Sequence, residues 1–338
     1  MHNIDSVMEL RTTFKIEPSG EKITYNDPVM FIGSCFATSI GRQFEIGHMP
    51  VMINPSGTVY NPVSVCNTLN TIINGLKYRR DDLYNHEGTW VSFDHYTDFS
   101  STDPLKVLAK INRNSDEARG FLDEARFLFI TFGTARIFRW KQSGKIVSNC
   151  HKIPAANFSH ELLTVDAIVT LWNKYLDKLL ALYPQMKVVF TISPVRHWKD
   201  GAHGNHVSKS VLFLAVEELL KHPSRPDYFP AYELVMDDLR DYRFYDEDML
   251  QPSASAIEYI WRAFTGCYFS KPTLELWNEV NKITKAFSHR IREGSGEGIR
   301  KFAERSLLQI ESVKKRIPSI DLEKETEYFR SLQQLNHL

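Results

Sequence analysis

The first residue of this chain able to do covalent chemistry is a serine at the end of a buried apolar run. Val29-Met30-Phe31-Ile32 reads as a fully buried strand and Gly33-Ser34 ends it. Phe36, Ile40 and Phe44 then repeat at the spacing of one helix face. A strand, a sharp turn and a helix place the Ser34 hydroxyl at the carboxyl edge of a sheet, beside the unpaired amides of a helix N-terminus. Such amides stabilise the oxyanion formed when a hydroxyl attacks an ester. The same spacing also describes an ordinary βα turn with a serine N-cap. Cys35 is an alternative nucleophile, because a helix N-terminus lowers the pKa of a thiol. The expectation for Cys35 is nonetheless a buried structural thiol, since the residue after a strand-end turn points back into the helix–sheet layer. His203 and His206, three residues apart in a loop after the third strand, bring no third ligand with them, so neither a metal nor a cofactor is expected.

Strands alternating with helices must position these groups. Arg126–Phe132 and Met186–Ser193 are further buried strands, and Tyr232–Met236 reads as a fourth, weaker one. Ile168, Trp172, Leu176 and Leu179 mark a long helix, and others are expected near 208–221 and after Pro252. This alternation predicts an α/β fold with a mainly parallel sheet between two helical layers. Ligands bind such sheets outside the carboxyl ends of the strands. Ser34, Gly133 and His197 each stand at such an end, and their convergence is the main argument from the residues for a site. Residues 10–28 look like a polar leading arm, and 78–120 like an insertion closed by a charged helix near 104–119. Beyond about Ser270 the chain reads as two or three amphipathic helices, broken at Gly294-Ser295-Gly296-Glu297-Gly298. The division expected is an α/β domain at 1–269 and a helical extension at 270–338. The extension would pack on the core or on a second copy of the chain, making a homo-oligomer.

Composition excludes several classes. Lys+Arg and Asp+Glu balance at 41 each, so no overall field favours nucleic acid or an acidic membrane. The first nine residues hold no apolar run, and no later stretch is long enough to span a bilayer. Four well-separated cysteines without CxxC spacing fit free thiols in a reducing compartment, which points to the cytoplasm.

Gly33-Ser34-Cys35-Phe36-Ala37 is the string that names the GSCFA family, a branch similar to the SGNH/GDSL hydrolases. The likeness extends through Asn54-Pro55-Ser56-Gly57 with Tyr60-Asn61-Pro62, Thr131-Phe132-Gly133-Thr134-Ala135, Asn149-Cys150-His151-Lys152, Ser193-Pro194-Val195-Arg196-His197 and Leu239-Arg240-Asp241-Tyr242-Arg243-Phe244-Tyr245, in the family's order, over about residues 20 to 265. It implies an SGNH-like three-layer α/β/α sandwich with Ser34 as nucleophile. It also implies oxyanion donors in the Ser34 amide, the Gly57 amide and an asparagine side chain. The third block carries Gly133-Thr134-Ala135 where that asparagine normally stands, which leaves Asn61 or Asn205 to substitute. The final Asp-x-x-His block is matched by Asp248-Met249-Leu250-Gln251, and glutamine cannot take the serine's proton. His197 is the first replacement base, with His151 and the His203 of Asp200-Gly201-Ala202-His203 behind it. Asp248 would orient the base or balance its charge.

The resemblance thus implies a serine esterase acting on acyl groups, such as acetyl, of a carbohydrate or small metabolite. Its rivals are an acyltransferase, and a binding or scaffolding protein that kept the fold and lost hydrolysis.

Overall fold

The computed structural model describes residues 12–288 and 296–334. The start of the chain, read above as lacking a leader, and Gly294-Ser295 of the expected break lie outside the described residues. In chain order the elements are β1 (Val29–Gly33), α1 (Cys35–Ile46), β2 (Val51–Ile53), α2 (Pro62–Asn74), the hairpin β3 (Tyr84–His86) and β4 (Thr89–Val91), α3 (Pro104–Glu124), β5 (Phe127–Phe132), β6 (Arg136–Trp140), β7 (Ile146–Val147), β8 (Phe158–Leu162) and α4 (Val165–Leu182). They continue with β9 (Lys187–Ile192), α5 (Gly201–Leu219), β10 (Asp227–Tyr228), the short α6 (Ala231–Glu233), α7 (Ala254–Tyr268), α8 (Lys271–Ser288), α9 (Gly296–Arg316) and α10 (Glu323–Gln334).

Five strands form a parallel sheet in the order β10-β9-β5-β1-β2. Successive side chains leave a strand on opposite faces, so each buried strand feeds two cores. Phe31, Phe129 and Val189 face α1, α7 and the C-terminal helices; Met30, Ile32, Leu128, Ile130 and Phe190 face α2, α4 and α5. The fold is therefore a sheet with helices on both sides, as the strand–helix alternation requires. Trp277, Val280, Ile283, Ile310 and Phe329 of the last three helices belong to the same apolar cluster as Phe31 and Phe44. The expected amphipathic tail thus covers its own core. The leading arm is also tied down, with Ile23 fully buried and bridged to Phe269.

One expected strand is not there. Tyr232–Met236 lies within α6 and a π-type turn, Leu234–Leu239, and the fifth strand is Asp227–Tyr228. Ala231, Leu234, Val235, Asp238 and Leu239 are the buried residues of this stretch, a spacing of three and four that belongs to a helix. The expected insertion is a hairpin plus α3, and it meets a second small sheet, β7-β6-β8, that periodicity did not predict. Tyr84 and Phe93 pack there against Trp140 and Phe158. No helix among the described residues is long and apolar enough to cross a membrane.

Candidate active site

Strand register brings the site together. Gly33 pairs with Thr131 and Thr131 with Thr191, so the chain leaves the sheet after β1, β5 and β9 side by side. At Gly33 the backbone is left-handed (φ 149°), and a side chain there would collide with the Thr131 carbonyl, so the turn requires glycine. Asn54 fixes that turn: its Oδ1 accepts the Gly33 amide at 2.8 Å while its Nδ2 donates to Thr38 at 2.9 Å. Ser34 is then the N-cap of α1 and its Oγ accepts the Phe36 amide at 3.3 Å.

Gly133 lies between the Ser34 and His197 side chains. A Cβ on Gly133 would stand 3.1 Å from His197 Nε2, 3.2 Å from the Tyr60 carbonyl and 3.5 Å from Ser34 Cβ. Only a residue without a side chain lets the imidazole approach the serine from β9 across β5. His197 is held by its own amide, which donates to Asn205 Oδ1 at 3.0 Å, and by an edge-on contact with the Tyr60 ring, centroids 5.4 Å apart. Burial, aided by the Lys209 charge, lowers the His197 pKa to about 4, so the ring is neutral and able to accept a proton at ordinary pH. Only 1% of Ser34 is exposed, so an acyl group reaching its Oγ must displace the side chains that cover it.

The other expected residues divide sharply. The Ser34 amide donates to Thr131 O at 3.2 Å and the Gly57 amide to Asn54 O at 2.7 Å, so both oxyanion donors are engaged in backbone bonds. Asn61 caps α2 through Ser64, and Thr134 bonds to Ser208 at 2.9 Å. Asn205 is 1% exposed and its Nδ2 has no acceptor, an unspent donor within the site. His151 lies between β7 and β8 and packs on the insertion, with its Nε2 against Ser92 O at 2.7 Å. Asp248 and Gln251 lie on an exposed turn before α7, where Asp248 Oδ1 accepts the Leu250 and Gln251 amides at 2.8 Å each. Those bonds lower the Asp248 pKa, and it makes no ion pair with His197 among the described residues. His203 and His206 are exposed on α5, while Asp200 pairs with Arg136 and His160. No cluster of three metal-ligating side chains occurs among the described residues.

The profile of the GSCFA family matches residues 28–264, a span that holds every site residue just described. The chain belongs to the GSCFA family. A second profile, the GSCFA domain protein C-terminal domain, matches residues 280–335. No curated protein matches. Among solved structures, a carbohydrate esterase family 3 from Talaromyces cellulolyticus aligns at 10% identity over 75% of this chain and 99% of its own, with a TM-score of 0.32. A likeness that loose says nothing about the site.

Within the GSCFA segment, α5 explains a residue the sequence reading passed over. Its buried face runs Asn205, Ser208, Lys209, Leu212, Ala215, Val216 and Leu219. The apolar half packs under the sheet, and the polar half reaches the site. Lys209 is 2% exposed, and its ammonium donates to Gly133 O at 2.7 Å and Ser193 O at 2.6 Å, clamping the exits of β5 and β9 together. Burial, with Arg196 adding to it, lowers its pKa to about 7. A lysine in the apolar register of a helix was a visible signal, since lysine is almost never fully buried without a task.

Cys35 departs from expectation as well. It is half-buried, within the electrostatic reach of Lys209, Asp248 and Tyr60 and thus at the site. Burial raises its thiol pKa, although its own amide, that of Phe36 and Lys209 oppose the rise.

Proposed function

We propose that this chain hydrolyses acyl esters, acetyl esters among them, of a carbohydrate or small metabolite in the cytoplasm. The observation that carries this reading is the approach of His197 Nε2 and Ser34 to one point at Gly133. Ser34 Oγ attacks the ester carbonyl as His197 Nε2 takes its proton, forming a tetrahedral oxyanion. The unspent Asn205 Nδ2 donor and the start of α1 supply stabilisation, in place of the engaged Gly57 amide. The imidazolium returns its proton to the departing alcohol. Water, deprotonated by the same ring, then releases the acid and restores Ser34. Among the described residues no carboxylate pairs with the base; the Asn205 bond holds the His197 backbone and the Tyr60 ring lies edge-on to the imidazole.

The test is turnover of p-nitrophenyl acetate by the full chain, Ser34→Ala and His197→Ala. Loss in both variants supports the hydrolase. Absence of turnover in the wild type supports a binding protein that retains the fold, and turnover only with an added alcohol acceptor supports acyl transfer. Partial exposure of Cys35 beside Lys209 favours one second reading, a thiol nucleophile. It requires activity to survive in Ser34→Ala and vanish in Cys35→Ala.

A further inference from the structure

A cavity of about 520 Å³ opens beside the candidate catalytic pair, lined among others by Arg196, Trp198, Met236, Tyr242, Tyr245 and Asp248. Its volume suits a monosaccharide-sized ligand. Ser34 and His197 do not line it, but Arg196 directly precedes His197, and Asp248 on the rim acts electrostatically on Cys35 at the start of α1. A ligand held in the cavity therefore lies next to the elements that carry the pair.

Arg196 is the unexplained group in that wall. Its Nε is enclosed without any acceptor, and Nη2 meets only the Met236 thioether at 3.5 Å. No carboxylate lies within ion-pair distance of it among the described residues. Its neighbours are already served: Arg240 pairs with Asp237 at 3.6 Å, Arg243 with Asp241 at 3.3 Å, and Asp248 accepts two backbone amides. A half-buried guanidinium with an enclosed, unpartnered N–H offers an arriving anion a charge-assisted hydrogen bond. Around it stand aromatic rings free to stack on a ligand, Trp198 at 51% and Tyr242 at 77% exposure. Met236, an unbranched side chain whose sulfur meets both Nη2 and the Tyr245 hydroxyl, has the rotamer freedom to open the guanidinium edge.

We infer that this cavity binds the anionic end of the substrate, a sugar or sugar-sized molecule bearing a carboxylate or phosphate, with Arg196 as its counter-ion. The inference deepens the esterase reading by naming a substrate class, and its test is independent of hydrolysis. Calorimetry on the full chain carrying Ser34→Ala compares methyl β-D-glucuronide, glucose 6-phosphate and the neutral methyl β-D-glucoside. One charge-assisted contact is expected to make at least one anionic sugar bind roughly tenfold tighter than the neutral one. The two anionic arms separate carboxylate from phosphate. Arg196→Met should erase the preference and Arg196→Lys should keep part of it. The exposed Tyr242→Ala, which leaves the fold intact, should weaken all three sugars alike. Equal binding of neutral and anionic sugars, binding of none, or a preference that survives Arg196→Met overturns the inference. If the preference is found but the wild type hydrolyses no ester, the esterase reading fails and the anion site stands.

Discussion

Ser34–His197 and Ser92–His95 are two of the serine–histidine pairs among the described residues, and only the first stands where the parallel sheet ends. In the insertion, Ser92 Oγ and His95 Nδ1 are 2.8 Å apart, a tighter contact than anything Ser34 makes with His197. Yet they sit three residues apart in one turn, and the Ser92 hydroxyl also accepts the Asp94 amide at 3.3 Å. His95, 3% exposed and wedged between Tyr78 and Phe99, has its pKa lowered to about 4 by burial, as His197 does. The lowered imidazole pKa is therefore common to both pairs and the short hydrogen bond belongs to Ser92 and His95, so neither feature marks the candidate site. What separates them is position. Ser34 and His197 come from different strands, meet where the sheet ends, and adjoin a cavity with an uncompensated cation. Ser92 and His95 close a turn.

Substitution sharpens that contrast. Ser34→Ala should lower ester turnover by at least ~10³-fold, since the nucleophile is lost, whereas Ser92→Ala should leave it unchanged. His197→Ala should cost ~10²–10⁴-fold in kcat, the usual worth of a general base. Its counterpart His95→Ala should spare kcat but lower unfolding stability by about 1–3 kcal/mol in urea, because buried polar groups lose a partner. Gly133→Ala should fold, yet slow turnover by roughly 10–100-fold, because a methyl 3.1 Å from His197 Nε2 forces the pair apart. Equal activity in that variant breaks the account of why the two groups can meet.

Lys209→Met has a smaller effect, read in the pH profile. The acid limb of kcat/KM should lie near pH 4 in the wild type, because the base stays neutral above that value. Removing the ammonium removes one of the two causes of the depression, so the limb should move up toward the usual 6.5 while burial still holds it below. A lysine acting only as a clamp would lower stability without moving the limb. The same depression bears on folding. The unfolded chain protonates this histidine below about 6.5 and the folded one below about 4. Its contribution to stability is therefore intact above pH 6.5 and lost progressively between those values on acidification. Gln251→His should change turnover by less than about twofold, because position 251 is exposed on the turn before α7 and its amide is held by Asp248.

Much of this was legible in the residues. Apolar runs and helical stripes are dictated by burial on two faces, so β1, β5, β9 and the helices beside them could be read directly, as could the gathering of Ser34, Gly133 and His197 at strand ends. What escaped was set by partners distant in sequence. Tyr232–Met236 carries strand-forming residues, but the buried positions follow a helical period that only packing against the sheet selects. Gly57 and Asn61 have the right identities for oxyanion donors, and their hydrogen bonds are spent on their own loop and helix. Lys209 was visible as an anomaly in an apolar register, though its acceptors, two carbonyls on separate strands, were not.

The central claim is that the Ser34 hydroxyl, activated by His197, is the nucleophile. It is tested most directly by treating the full chain with a fluorophosphonate between pH 5 and 8 and locating the adduct by peptide mass spectrometry. The account predicts a single adduct on Ser34, formed at a nearly constant rate across that range and lost or greatly slowed in His197→Ala. An adduct on Ser92 or Cys35, or labelling of Ser34 that is indifferent to His197→Ala, would contradict it.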